Sequence, residues 1–225
     1  MTTAAVSSLT VRRAEPRDAA LLAALFCDSA MLPFTLIPPY SSGAHWDKRL
    51  GEYADTACLP LVAFAGEALV GVLLLRAFPN HVRRKHAGVL DLLAVRPDHR
   101  RHGVGRALLN AAIRAADEGL QLRRIEVNVP RRVDYVDPAP TPLERFYASF
   151  GFEPEGVKRC ELAHADGYAD SATMARINAA TMPAPPSPAL PNAKRTRRSA
   201  PVKVVIRPAT EDDAEGFAQV FADRS

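Results

Sequence analysis

Apolar residues along this chain alternate between the period of a strand and the period of a helix, with proline and glycine at the changes. Leu9 to Arg13 reads as a short strand, and from about Arg17 to Ser29 the residues Leu21, Leu22, Leu25 and Phe26 form one helical stripe. A proline-rich loop, Leu32 to Ser42, precedes a second helix from about Ala44 to Tyr53. Leu61 to Ala65 and Leu69 to Arg76 read as strands joined at Gly66-Glu67 as a hairpin. Val89 to Val95 is a continuous apolar run broken only by Asp91, the pattern of a strand buried on both faces, and Pro97 stops it. A helix from Val104 to Glu118 and a strand from Arg124 to Val129 follow. Pro142 then opens a short helix through Ser149, where its missing N–H costs nothing. Two last strands, Gly156 to Ala163 and Tyr168 to Ile177, fold back through Ala165-Asp166-Gly167. This mixed order predicts an α/β (α+β) fold: a central, mostly antiparallel mixed sheet flanked by helices.

A repeat sets the expected domain layout. Thr10 to Phe26 aligns without gaps on Val205 to Phe221, each copy a strand, a turn and a helix entered at acidic residues. Residues 1–178 are expected to form one domain, 179–203 a linker, and 204–225 the truncated start of a second domain, too short to bury its own core. The linker carries Met182 to Pro191, rich in proline and alanine, and the basic cluster Lys194 to Arg198. A nucleic-acid patch is the alternative for that cluster; a solvated, extended linker is preferred, because such a composition buries too little to fold.

Composition narrows the class. A chain of 225 residues with net charge +4 buries one full core, and no apolar run of about 18 residues exists to span a membrane. Met1 to Val11 lacks the basic and apolar regions of a signal peptide. Cys27, Cys58 and Cys160 are widely spaced and odd in number, which suits thiols in a reducing cytoplasm. The histidines show no ligand spacing, so no metal is expected.

The chemistry lies in two stretches. Arg100-Arg101-His102-Gly103-Val104-Gly105-Arg106 follows the apolar strand and opens a helix. Successive backbone N–H groups there, with glycines admitting a ligand closely at the positive end of a helix dipole, suit a pyrophosphate. The loop lacks the third glycine of the dinucleotide fingerprint and the Gly-Lys-Ser/Thr of a P-loop. The second stretch is Phe146-Tyr147-Ala148-Ser149-Phe150-Gly151-Phe152.

Together these stretches resemble the GCN5-related N-acetyltransferases (GNAT), whose motif A is Gln/Arg-x-x-Gly-x-Gly/Ala and which carry a Tyr-x-x-x-Gly-Phe segment. The repeat at 204–225 resembles the start of a second such domain. The resemblance implies acetyl-CoA as co-substrate, with its pyrophosphate on the Arg100 to Arg106 amides and its pantetheine arm pairing with Leu93, Ala94 and Val95. Arg101 and Arg106 either add charge or are solvated arginines at a helix start. Tyr147 is implied as the acid that protonates the departing thiolate; the plain alternative is a core tyrosine.

For the base, Asp91 is the only carboxylate of the apolar strand, where alternation places it with Leu93 and Val95 and burial would raise its pKa. An arginine-paired structural Asp and a water chain stand beside that reading. Thr35-Leu36-Ile37-Pro38, Trp46 to Leu50, Gly151 to Gly156 and Asp166 to Arg176 are similar to the subgroup acetylating amino acids and other small amines. Phe34, Thr35 and Tyr40 are candidate acceptor contacts, while Trp46 is assigned to the core. The Asn that relatives carry just before the tyrosine helix is missing from Val136 to Pro142, and Asn128 stands too early to replace it.

The expected activity is therefore acetyl transfer to a small-molecule amine in the cytoplasm. A homodimer is compatible with the sequence; membrane and nucleic-acid partners are not expected. A protein N-terminal or lysine acetyltransferase and a non-catalytic acyl-CoA-binding module are the alternatives.

Overall fold

The computed structural model describes residues 9–31, 42–55, 57–131, 139–164, 167–178 and 180. Phe34, Thr35 and Tyr40, the linker apart from Ala180, and the second copy of the repeat, residues 205–221, lie outside them. Contacts divide the chain into Met1–Pro183 and Ala184–Ser225, the latter wholly outside the described residues.

The described strands form one seven-stranded sheet in the order β1-β2-β3-β4-β5-β7-β6, with β1 Leu9–Arg13, β2 Cys58–Ala65, β3 Ala68–Ala77, β4 Ala87–Val95, β5 Arg124–Pro130, β6 Glu153–His164 and β7 Gly167–Ile177. Every pairing is antiparallel except β4 with β5. The helices are α1 Ala19–Cys27, α2 Gly43–Asp55, α3 Val104–Arg114 and α4 Pro142–Ala148. A parallel pair needs a crossover, and α3 supplies it between β4 and β5. The hairpin between β2 and β3 turns at Gly66, whose φ of 61° suits a tight two-residue connection.

Each sheet face has its own core. One joins Leu73, Leu75, Leu108, Leu109, Ile125, Tyr147 and Phe152; the other joins Leu22, Leu25, Phe26, Trp46, Leu50, Val72 and Ala94. Strand alternation explains the split, since β3 sends Leu73 and Leu75 to the first and Val72 to the second. The α1 stripe is narrower than its spacing suggested: Leu22, Leu25 and Phe26 are buried, but Leu21 is 43% exposed. Pro16–Asp18 forms a 3-10 turn before α1, and α3 ends earlier than expected, continuing as a single π-turn, Ala115–Gly119. Asp18 is buried and bound at 2.7 and 2.8 Å by Arg12 of β1, which fixes α1 to the sheet edge. The Arg12 hydrogen bonds hold this carboxyl below the usual range, against the opposing effect of burial.

Gly71 of β3 lets α3 lie close to the sheet. A Cβ there would stand 2.9 Å from Val104 Cγ1 and 3.0 Å from Leu108 Cδ1. Gly71→Val should therefore destabilise the domain by about 1–3 kcal/mol, read as a drop of several degrees in Tm. An unchanged Tm would show that α3 has slack.

Candidate active site

A bulge in β4 creates the site. Leu74 pairs with Leu92 and Leu75 with Leu90, so Asp91 is an extra residue opposite β3. The bulge resets alternation: Leu90, Leu93 and Val95 face one core while Leu92 and Ala94 face the other. Asp91 thus does not share a face with Leu93 and Val95. It is exposed rather than buried, and its carboxylate is held by Arg76, Nε to Oδ2 at 2.5 Å and a terminal nitrogen to Oδ1 at 2.9 Å. Simple alternation missed this because a bulge is a property of the pair of strands.

Pairing of β4 with β5 covers only Ala87–Leu90 against Arg124–Val127. Past the bulge, β4 stays with β3 as far as Val95, and β5 stays with β7 as far as Pro130. The two halves of the sheet part, and a cleft of about 570 Å³ opens where Leu90 to Leu93, Val127, Asn128 and Tyr147 meet. Arg96 N–H donates to the Val70 carbonyl at 2.9 Å, so Arg96 and, two residues back, Ala94 direct their backbone groups at β3. Leu93 and Val95 direct theirs into the gap. Of the three residues expected to pair with a ligand arm, Ala94 is already engaged. The Val95 carbonyl accepts from Arg100 Nε at 3.1 Å, tying the following loop to the strand end.

That loop turns through two left-handed residues, Arg101 (φ 67°) and Gly103 (φ 84°), before α3 begins at Val104. A left-handed arginine is strained, a feature that clusters at ligand sites. The first bond across the start of α3 runs from Ala107 N–H to the Gly103 carbonyl. The N–H groups of Val104, Gly105 and Arg106 therefore precede any intrahelical acceptor. Gly105 lies between the end of β4 and α4: a Cβ there would be 3.8 Å from Val95 Cγ2 and 3.7 Å from Phe146 Cζ. Arg101 and His102 are exposed, whereas the Arg106 guanidinium sits 5.0 Å over the Phe150 ring.

The helix carrying Tyr147 has a sequence-encoded start. Thr141 Oγ1 accepts from Glu144 N–H at 3.1 Å, and Glu144 accepts from Thr141 N–H at 2.6 Å, a capping box with Pro142 in its first turn. Arg131 at the end of β5 donates to the same buried Glu144, at 2.8 and 3.1 Å. Burial pushes the Glu144 carboxyl up, but the Thr141 N–H and Arg131 outweigh it and hold the group below the usual range. Tyr147 is 4% exposed, lies edge-on to Phe146 and Phe152, and lines the cleft. Burial raises its phenol above the ordinary tyrosine value, so it keeps its proton throughout the physiological range.

Across the cleft, α2 presents Trp46, Arg49, Leu50 and Tyr53, spaced to share one helical face. Trp46 is buried and stacked on Phe26, with ring centroids 5.0 Å apart. Burial raises the Tyr53 phenol, against the pull of the neighbouring Arg49. Arg49, Tyr53, Arg76 and Asn128 were not singled out from the sequence as site residues. The α2 spacing was the available signal for the first two, and nothing local marks Arg76. Asn128 stands in the cleft wall, its Oδ1 accepting from Thr173 Oγ1 at 3.0 Å. No group of His, Cys, Asp and Glu arranged to hold a metal occurs among the described residues, and no helix there is long and apolar enough to cross a membrane.

A sheet edge that parts beside a turn of open amides, with a buried tyrosine on the cleft, has the room and the donors to receive an elongated anionic ligand. A family model described as the acetyltransferase (GNAT) family matches residues 24–152. The chain belongs to that family and is an acetyl-CoA-dependent N-acetyltransferase. It is 28% identical over 172 residues to the L-amino acid N-acetyltransferase AaaT of Escherichia coli strain K12, covering 76% of this chain and 99% of that protein. Its fold is shared with a GNAT-family acetyltransferase from Streptococcus pneumoniae, at TM-score 0.65 and 24% identity over 76% of this chain and 99% of that one. It is shared also with spermidine N-acetyltransferase from Vibrio cholerae, solved with CoA and spermine, at TM-score 0.62 and 22% identity over 76% and 96% of the two chains.

Proposed function

We propose that this enzyme acetylates the amine of a small molecule, an amino acid, and that Tyr147 and Asp91 serve the proton transfers. The observation that carries this reading is the cleft at the parting of β4 and β5. Its volume of about 570 Å³ falls in the range of small-molecule sites, and it brings Tyr147 and Asp91 to one space. The likeness to an L-amino acid N-acetyltransferase along nearly that protein's whole length supports the same acceptor.

The residues present fit the donor. The amides of Val104, Gly105 and Arg106 and the dipole of α3 complement a diphosphate, with exposed Arg101 and His102 beside them. Leu93 and the Val95 N–H offer strand-edge partners to the amides of the pantetheine arm, as an added strand would use them. Acetyl-CoA supplies a thioester: the amine nitrogen forms a bond to its carbonyl carbon, and the carbon–sulfur bond breaks with its electrons going to sulfur.

Tyr147 gives its phenolic proton to that sulfur and is reprotonated from solvent. Burial raises this phenol and keeps its proton on the oxygen at neutral pH. Asp91 is the only carboxylate among the described cleft residues, and it takes the proton shed by the amine, directly or through water. Arg76 orients it, since two parallel hydrogen bonds leave each oxygen one further lone pair. In total an ammonium and a thioester become an amide, a thiol and a released proton.

Thiol release from acetyl-CoA over a panel of amino acids, polyamines and peptides tests the acceptor. Turnover concentrated on amino acids is the expected result. Turnover confined to peptides would move the enzyme to protein substrates, and acetyl-CoA binding with no turnover on any amine would make it a non-catalytic module.

A further inference from the structure

Charge within the cleft distinguishes one residue. Arg76 and Asp91 neutralise each other through two hydrogen bonds, while Arg49 on the opposite wall meets aromatic side chains, 5.6 Å from the Trp46 ring and 5.8 Å from the Tyr53 ring, and hydrogen-bonds the neutral Tyr53 side chain. The acidic residue one turn along α2, Glu52, is directed to Lys48 at 3.9 Å. Among the described residues Arg49 makes no ion pair, yet it is half-buried and lines the cleft. The same wall holds the buried Trp46 Nε1, which has no hydrogen-bond partner among the described residues. A half-buried guanidinium without an anion, set among Leu22, Leu50, Leu74 and Leu92, is a place for an anionic group joined to an apolar body.

Building on the acceptor reading above, we propose that Arg49 binds the carboxylate of the acceptor and so restricts the enzyme to amines that carry one. The charge balance favours this. An α-amino acid with its amine deprotonated for attack carries one negative charge, which matches the single uncompensated positive charge among the described cleft residues. A polyamine brings only further positive charge, and an internal peptide residue has no carboxylate at that distance. Planar guanidinium bonds two carboxylate oxygens at once and thereby orients the molecule as well as holding it. The apolar wall then receives a hydrocarbon side chain.

Matched pairs test the proposal: leucine with 3-methylbutylamine, methionine with 3-(methylthio)propylamine, and phenylalanine with 2-phenylethylamine, which differ only by the carboxylate. The full-length enzyme should prefer each amino acid over its decarboxylated partner by about 10- to 100-fold in kcat/KM, the worth of a hydrogen-bonded charge. Arg49→Gln should abolish that preference by lowering the amino-acid value alone, with KM for acetyl-CoA unchanged, and Arg49→Lys should retain part of it. Equal use of both members of each pair by the native enzyme, or an equal loss on both in Arg49→Gln, overturns the role of Arg49 and leaves the small-amine reading standing. If Arg49→Gln does not fold, the Arg49→Lys comparison carries the test, since the lower basicity of an α-amino group favours the amino acids equally in every variant. Thiol release with no member of any pair overturns both readings.

Discussion

Tyr147→Phe should slow thiol release by about 100- to 10,000-fold, the usual worth of a positioned acid, while acetyl-CoA affinity changes less than about threefold. The split follows from geometry. Phenylalanine preserves the ring that packs edge-on against Phe146 and Phe152, so α4 and the parted sheet edge stay in place. Only the transferable proton is lost. Because burial raises the phenol, the native enzyme should also show no alkaline loss of turnover from this group below about pH 10, the ordinary tyrosine value. Unchanged turnover in Tyr147→Phe would leave the residue as packing alone.

Glu144→Ala should produce the largest loss of stability. One buried carboxylate satisfies the Thr141 N–H at the start of α4 and binds Arg131, the residue that follows β5. Its removal strips a helix cap and leaves a guanidinium that is only 21% exposed without its partner. Because water reaches part of Arg131, about 2–3 kcal/mol is expected rather than the full cost of an orphaned buried charge, or about 5–10 °C in Tm.

The pH dependence has a definite sign. The folded-state carboxyl is held low, so its contribution is complete above the unfolded glutamate value of about 4.3 and is lost as pH falls through the lower folded value. The stability difference between native and Glu144→Ala proteins should thus be constant near neutrality and shrink in acid. A difference that widened on acidification would contradict the assignment. Turnover should fall as well, since α4 carries Tyr147.

Much of this fold was readable because its signals are local. Every strand and helix within the described residues was anticipated to within a few residues, from alternation, apolar stripes and turn chemistry. Gly66-Glu67 marked the hairpin, Pro142 marked the start of α4, and Gly103 and Gly105 marked the amide turn. Where reading failed, the cause lay between segments. Leu21 fits the α1 stripe by spacing, yet it sits at the stripe's edge and remains exposed.

Asp91 shows the boundary most clearly. In one dimension it interrupts a buried strand; in the sheet it is the bulge that ends the β4–β5 pairing, faces Arg76 from a neighbouring strand and opens the cleft.

The sequence by itself determined the elements, the amide turn and the capped helix bearing Tyr147, because periodicity, glycine conformational freedom and helix capping act over a few residues. Only the tertiary structure decided that β4 and β5 part and that Arg49, Arg76 and Asp91 meet across the opening, because register between strands and charge pairing between elements depend on contacts that no single segment contains.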